Sequence, residues 1–470
     1  MSARLLMIGL DGADGRMLDR HSADGSLPHL AALRARGRAH CLSPPPGITD
    51  DAVWASFQYG VEVGEHGRYH YRLPLAGGRI GMAHLAEKDR PAFWDDLSGQ
   101  GMRVAVLDIP KCRAPRPLNG IHLADWLVHG RNFEQPRSQP PSLATDILER
   151  FGPAPPSRCG YRQPVLEDDD VRDITRNLRA GVAKKRAAGL HYLAAEPWDL
   201  FVLGFKEAHC CCHAFWDFDA GHPAFDPARR SRLGDPRMTT LRDVDGALGD
   251  LIAAAGPSAE VVVFSTTDFE PNGCFNHLMP EVVGRLNALL AASPATPTAP
   301  AQSDSSCVPS LSGWQCAILP YNENCTALRV ARTGPTAFAC PAVPLDPRPL
   351  QAIETQFLSL QDAETGQRVV SRITRPSSEL EGSRAATLPD LLIHCAGGLF
   401  PRAIESPGLG RIEGRIPTMR PGNHRAGGFL VASGALATSA VADVRTLAGL
   451  APLARTVLHR SLQLPESPLP

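Results

Sequence analysis

Residues 206–217 read KEAHCCCHAFWD, with two histidines enclosing three consecutive cysteines. On a helix, His209 and His213 lie four residues apart, so their side chains share one face and can share a metal ion. Imidazole suits zinc, iron and copper alike, and the pair alone does not choose among them. Cys210, Cys211 and Cys212 step around the same helix by about 100° each, so they cannot all face that ion. A small hydrophobic filler is the expectation for two of the three. The remaining thiol, Cys210 or Cys212, is a candidate ligand or redox-sensitive group. Asp11 is a further polar candidate, able to cap a helix or to orient a ligand.

The elements that must position these groups follow from short apolar runs. RLLMIGLDG carries an unbroken apolar stretch from Leu5 to Leu10 and delivers Asp11 at its carboxyl end. Residues 103–110, 198–205 and 259–266 repeat the pattern, the signature of strands covered on both faces. Helical periodicity fills the gaps at 27–37, 50–60, 171–195 and 238–256. This alternation predicts an α/β fold with a doubly wound, mostly parallel sheet flanked by helices, and ligands beyond the strands' carboxyl ends. The stretches of about 75–165 and 292–415 break the rhythm and are expected to be insertions with lid-like elements in a single domain spanning 1–470. Within them, 292–306 is an Ala/Pro/Ser/Thr tract expected to be disordered. Lys184, Lys185 and Arg186 are expected on a solvated helix face, His66 in a structural role, and Asn324 and Arg329 either at a sheet edge or near substrate.

Composition narrows the function. The 470 residues carry a formal net charge of −1, which points to neither a nucleic acid nor an anionic membrane as partner. A small-molecule substrate is expected instead. The apolar run after Met1 is too short for a secretory core. A cytoplasmic location is therefore expected, with the 12 cysteines as thiols.

Taken in order, the motifs resemble the type I phosphodiesterase/nucleotide pyrophosphatase branch of the alkaline phosphatase superfamily. The resemblance rests on LLMIGLDGADGRMLD, PPPGITDDAVWASFQYGVEVGEHG, VAVLDIPKCRAPRPLNGIHLADW, EPWDLFVLGFKEAHCCCHAFWD, VVVFSTTDFEP, LPDLLIH and RPGNHRAGGFLVASG. It implies an alkaline phosphatase-like fold and two metals, usually zinc. One family site takes an Asp, a His four residues later and a distant His; these positions fall on His209, His213 and His424. The other takes the N-terminal Asp, here Asp11, and an Asp-His pair that falls on Thr266 and Thr267. A neutral hydroxyl is a poor ligand for a divalent cation, so that second site is expected to be empty. Asp268 is the nearest carboxylate that could compensate. Counting back from Trp54, the family's nucleophilic threonine falls on Asp50, with Thr49 one residue earlier.

The resemblance therefore implies a metal-dependent enzyme acting on a phosphate or related ester through one divalent ion. Zinc is the leading candidate and iron or copper the alternatives. His209, His213 and His424 are the expected ligands; Thr49, Asp50 and Asp11 are the candidate catalytic residues, with water the expected nucleophile. Two other readings remain open: a non-hydrolytic metalloenzyme of a biosynthetic pathway, and a non-catalytic binding protein on the same fold.

Overall fold

The central strand β1 (Leu5–Leu10) is apolar throughout and completely buried, as a strand with covered faces on both sides must be. Its side chains alternate. Leu6, Ile8 and Leu10 enter one core, and Leu5 and Met7 the other. The computed structural model describes residues 4–463 except 46, 49–50, 75–79, 84–89, 129–133, 157–165, 293–312, 322–323, 333–346 and 418. Thr49, Asp50 and nearly all of the 292–306 tract lie outside the described residues.

Seven more strands complete the sheet: β2 (Arg38–Cys41), β3 (Val104–Leu107), β4 (Gly120–Ala124), β5 (Arg137–Gln139), β6 (Leu200–Phe205), β7 (Glu260–Ser265) and β8 (Phe429–Ser433). Their order is β2-β8-β7-β1-β6-β3-β4-β5. The five inner strands from β7 to β4 run parallel. β8 at one side is antiparallel to both its neighbours, β7 and β2, and β5 at the other is antiparallel to β4. One face is covered by α1 (Gly15–Ala23), α2 (Pro28–Arg36), α4 (Asp168–Ala195), α5 (Glu207–Phe215) and α6 (Pro236–Ala255). The other carries α3 (Asp51–Tyr59) and α7 (Leu450–Gln463). This is the expected doubly wound arrangement. Within the stretch 75–165, β3 falls on the apolar run at 103–110 read as a strand, and β4 and β5 continue the sheet beyond it.

The chain, read from its sequence as one domain, divides into two compact units. The first comprises Met1–Tyr71, Ala83–Pro271 and Met419–Pro470; the second comprises Arg72–Met82 and Asn272–Thr418. The second unit holds a four-stranded antiparallel sheet in the order Trp314–Leu319, Cys325–Arg332, Leu391–Cys395, Val370–Thr374. Arg329 serves this sheet, with Nη1 2.9 Å from Asp390 and Nη2 donating to the Thr387 carbonyl. The Asn324 carbonyl accepts from the Cys395 amide. Among the described residues no helix is long and apolar enough to cross a membrane.

An aromatic cluster ties α3 to the sheet. The Phe264 ring from β7 lies 4.8 Å from Phe57 and 6.0 Å from Trp54, centroid to centroid. Phe264 is fully buried, and Phe264→Ala is expected to destabilise the protein by about 3–5 kcal/mol. Urea denaturation of variant and parent checks the figure.

Candidate metal centre

α5 starts directly after β6, so its first turn lies beyond the carboxyl end of a central strand. His209 and His213 sit one helical turn apart on this helix, with ring centroids 4.3 Å apart. The third histidine arrives from far along the chain. Asp268–Pro271 and Gly422–Arg425 form a short antiparallel ribbon in which Phe269 lies opposite His424. His213 Nδ1 donates to the Gly422 carbonyl at 2.7 Å. That bond fixes the tautomer and leaves the lone pair on Nε2.

The three Nε2 atoms converge. His213 Nε2 is 3.1 Å from His209 Nε2 and 3.0 Å from His424 Nε2, and the three candidate ligand atoms all lie within 4.8 Å of one another. A four-coordinate zinc with bonds of about 2.0–2.1 Å sets its nitrogens about 3.3 Å apart, and a six-coordinate ion with the same bonds about 2.9 Å apart. The two separations from His213 fall between these values, so this nitrogen is placed to share a divalent ion with either of the other two. Burial, reinforced by Arg420, pushes His424 down to about 3, which keeps its imidazole neutral. All three rings are buried, and Phe269 contacts each, with centroids 5.9, 4.7 and 5.1 Å from His209, His213 and His424.

Glycine at position 12 is part of this geometry. Gly12 has φ of 56°, and a Cβ there would lie 2.9 Å from His209 Cδ2 and 2.8 Å from the Phe269 ring. Only glycine allows both the left-handed backbone and the close approach of the histidine.

Asp11 is completely buried beside this turn. Its Oδ1 accepts from Trp54 Nε1 at 2.7 Å and from Thr266 Oγ1 at 3.2 Å, while Thr266 Oγ1 accepts from the Gly12 amide. The Thr267 hydroxyl donates to the Arg425 carbonyl at 2.7 Å. Asp268 is engaged elsewhere, with Oδ1 on the Gly15 amide at the start of α1 and Oδ2 3.1 Å from Arg425. Burial raises the Asp268 carboxyl above its ordinary value.

Cys210, Cys211 and Cys212 are buried, and no cysteine joins the histidine cluster among the described residues. Burial, then the neighbouring Cys212, pushes the Cys211 thiol well up. That removes the thiolate character a reactive cysteine requires. His66 Nδ1 accepts from the Arg68 amide at 3.0 Å and its Nε2 lies 3.0 Å from Ser56 Oγ, bracing the turn after α3.

Two charged groups are buried where the sequence did not place them. Asp51, the first residue of α3, is 1% exposed and pairs with Lys111 Nζ at 3.2 Å and Arg68 Nη2 at 3.8 Å. Burial opposes its ionisation, yet Lys111, Arg68 and His70 hold the carboxyl below the usual carboxylate range. Lys185 corrects the expectation of a solvated helix face: it is 0% exposed, 3.2 Å from Asp108 Oδ2 and 3.9 Å from Glu207 Oε2, and donates to the Gly204 carbonyl. Burial opposes its charge, but Glu207, Asp108 and Asp11 keep the ammonium above its ordinary value.

The sequence profile of the type I phosphodiesterase/nucleotide pyrophosphatase family matches residues 5–293. The chain belongs to this family. Phosphonoacetate hydrolase from Sinorhizobium meliloti 1021, solved with phosphonoformate and with phosphonoacetate, is similar in structure: TM-score 0.55, 12% identity, 97% of this chain and 96% of that one covered. Murine ectonucleotide pyrophosphatase/phosphodiesterase 5, an inactive variant in complex with AMP, gives a TM-score of 0.47 at 11% identity, covering 92% of this chain and 88% of its own. At such identities the likeness to the hydrolase establishes the fold alone, and that fold is alkaline phosphatase-like. No curated protein matches the sequence significantly.

The Lys185 arrangement yields a direct test. Lys185→Met strands Asp108 and Glu207 without their buried cation and is expected to cost about 3–5 kcal/mol. Arg186→Ala, which removes only an exposed pair with Asp250, is expected to change stability by no more than about 0.5 kcal/mol. Equilibrium urea unfolding of both variants makes the comparison.

Proposed function

We propose that this protein is a metal-dependent phosphoester hydrolase working with a single divalent ion held by His209, His213 and His424. The observation that carries the reading is the convergence of three buried imidazole nitrogens, two of the separations being 3.0 and 3.1 Å. Family membership supports the hydrolase class. The family resemblance, rather than the imidazole donors, makes zinc the leading ion, and iron or copper in the purified protein would turn the reading towards a non-hydrolytic metalloenzyme. When bound, the ion supplies Lewis-acid polarisation of an ester oxygen or acidifies a water.

The chain's own residues supply the rest. The Gly422 carbonyl holds His213 in the tautomer that offers Nε2, and Phe269 keeps the three rings dry. Thr266 and Thr267, whose hydroxyls bond to Asp11 and the Arg425 carbonyl, are unsuited to a second ion. Asp11 works in this reading as a brace between α3 and the β1 turn. Water attacks the ester. Thr49 and Asp50, the two residues before Asp51 in sequence, orient the substrate in this reading.

His213→Ala is expected to lose the ion and nearly all activity while the fold is kept, read by elemental analysis and circular dichroism. Retention of a full equivalent of metal would reject the site. Anomalous diffraction at the metal edge should give one peak per chain, and a second peak beside Asp11 would restore the two-metal scheme. Thr49→Ala should lose only about ten- to a hundredfold in rate, equivalent to about 1.4–2.7 kcal/mol. A total loss with a covalent adduct trapped on Thr49 would return the threonine to the role of nucleophile.

A further inference from the structure

Each histidine of the cluster must present its Nε2 to one point, and the three are held there by different means. His213 is fixed by a bond on its own ring, from Nδ1 to the Gly422 carbonyl. His424 is placed by the ribbon that carries it, and His209 is packed against the backbone turn after β1. We propose that Thr266 is a positioning residue for the ion: its hydroxyl fixes the Gly12 turn against His209 and so sets where that ring's Nε2 stands. This inference rests on the one-ion reading of the function and gives a residue outside the ligand set the task of tuning it.

The first support is contact geometry. A Cβ on Gly12 would lie 2.9 Å from His209 Cδ2, 3.1 Å from its Cβ and 2.8 Å from Phe269 Cε2. The Gly12 backbone is therefore seated against the edge of the imidazole that carries the donor, because Cδ2 is bonded directly to Nε2. A shift of the turn would release or rotate that edge. The 3.1 Å spacing between the His209 and His213 nitrogens would change with it.

The second support is the turn's need for a hold. Glycine lets the chain pass this close to the ring, yet glycine also gives it the most conformational freedom. Bonds from outside the turn must supply the constraint. The Asp11 amide donates to the Phe205 carbonyl at the end of β6 at 2.8 Å. The Gly12 amide donates to Thr266 Oγ1, just past β7, at 2.9 Å. Further on, Asp14 Oδ2 accepts from the Phe269 amide at 3.0 Å. Of these bonds, that of Thr266 is the one made to Gly12 itself.

The third is the direction of the hydroxyl. Thr266 Oγ1 donates its proton to Asp11 Oδ1 at 3.2 Å, and Trp54 Nε1 donates to the same oxygen at 2.7 Å. With its proton committed to the carboxylate, the hydroxyl turns a lone pair to the Gly12 amide. Thr266, Asp11 and Trp54 are each no more than 1% exposed, and a buried amide that loses its acceptor is destabilising. The bonds thus run from α3 through Asp11 and Thr266 to the backbone that seats a metal ligand. Outer groups that orient a ligand typically govern about ten- to a hundredfold in metal affinity.

Two measurements on the full-length protein, freed of metal with a chelator, test this: zinc affinity by competition with a chromophoric chelator, and the visible absorption of the cobalt(II)-loaded form. Thr266→Val keeps the shape of the side chain without its hydroxyl and is expected to bind zinc about tenfold or more weaker, with shifted cobalt bands. Thr266→Ser restores the hydroxyl and should match the parent in both. Thr266→Ala gives the same reading if the valine variant fails to fold. Parental zinc affinity and cobalt bands in Thr266→Val, even with a lowered urea midpoint, would leave Thr266 a link between strands and overturn the proposal. So would a serine variant as weak as the valine variant, since the hydroxyl would then not be the cause. Failure of the function reading looks different. A parent protein that takes up neither zinc nor cobalt removes the one-ion site and the positioning role with it, whereas a parent that binds while its variants match it removes the positioning role alone.

Discussion

Three imidazole nitrogens directed at one buried point impose the constraint that the surrounding structure satisfies. Each ring is polar and removed from water, and a polar group in that position needs a partner. Two of the rings come from a single helical turn and the third from a ribbon 211 residues later in the chain. Bringing them together requires β6 to end where α5 begins, Gly12 to leave room for His209, and Phe269 to close the space between the rings. The backbone carbonyl of Gly422 does the last adjustment by choosing which nitrogen of His213 carries the proton.

The same unit carries buried ion pairs. Lys185 lies among Asp108 and Glu207, and Lys111 and Arg68 both face Asp51. Asp11 is bonded to Trp54 and Thr266. The Thr266 hydroxyl thereby joins the end of β7 to the end of β1. A protein side chain carrying a cation differs from a bound ion in one respect: it is part of the covalent chain and does not dissociate.

Much of this was legible in the sequence, and the physical reasons for success and failure differ by element. The apolar runs at 5–10, 198–205 and 259–266 gave away strands now seen at Leu5–Leu10, Leu200–Phe205 and Glu260–Ser265, because buried parallel strands tolerate almost no polar side chain. β4 was harder to see. His122 interrupts its apolar character, and burial pushes that imidazole down to about 3, so it is accommodated neutral. The α5 histidines were readable since four-residue spacing is a local property. Lys185 could have been recognised: it continues the stripe of Val171, Ile174, Leu178 and Val182, spaced by three and four, that α4 turns to the core. Arg68, Lys111 and Asp51 left no such trace, because their association depends on how separate loops meet at the sheet's edge.

The strands at the two sides of the main sheet carry a different consequence. β2 has four residues and β5 three; β5 runs against the parallel strands, whereas β2, antiparallel to β8, runs with them. A sheet edge is a template for another chain only when it offers a long row of backbone donors and acceptors. Here one edge stops within four residues that include Arg38 and His40, and the other runs directly into Pro140 and Pro141. Strand-to-strand association between copies of this chain therefore finds little to grip at either side of the main sheet, despite an interior rich in the β-branched residues that favour it.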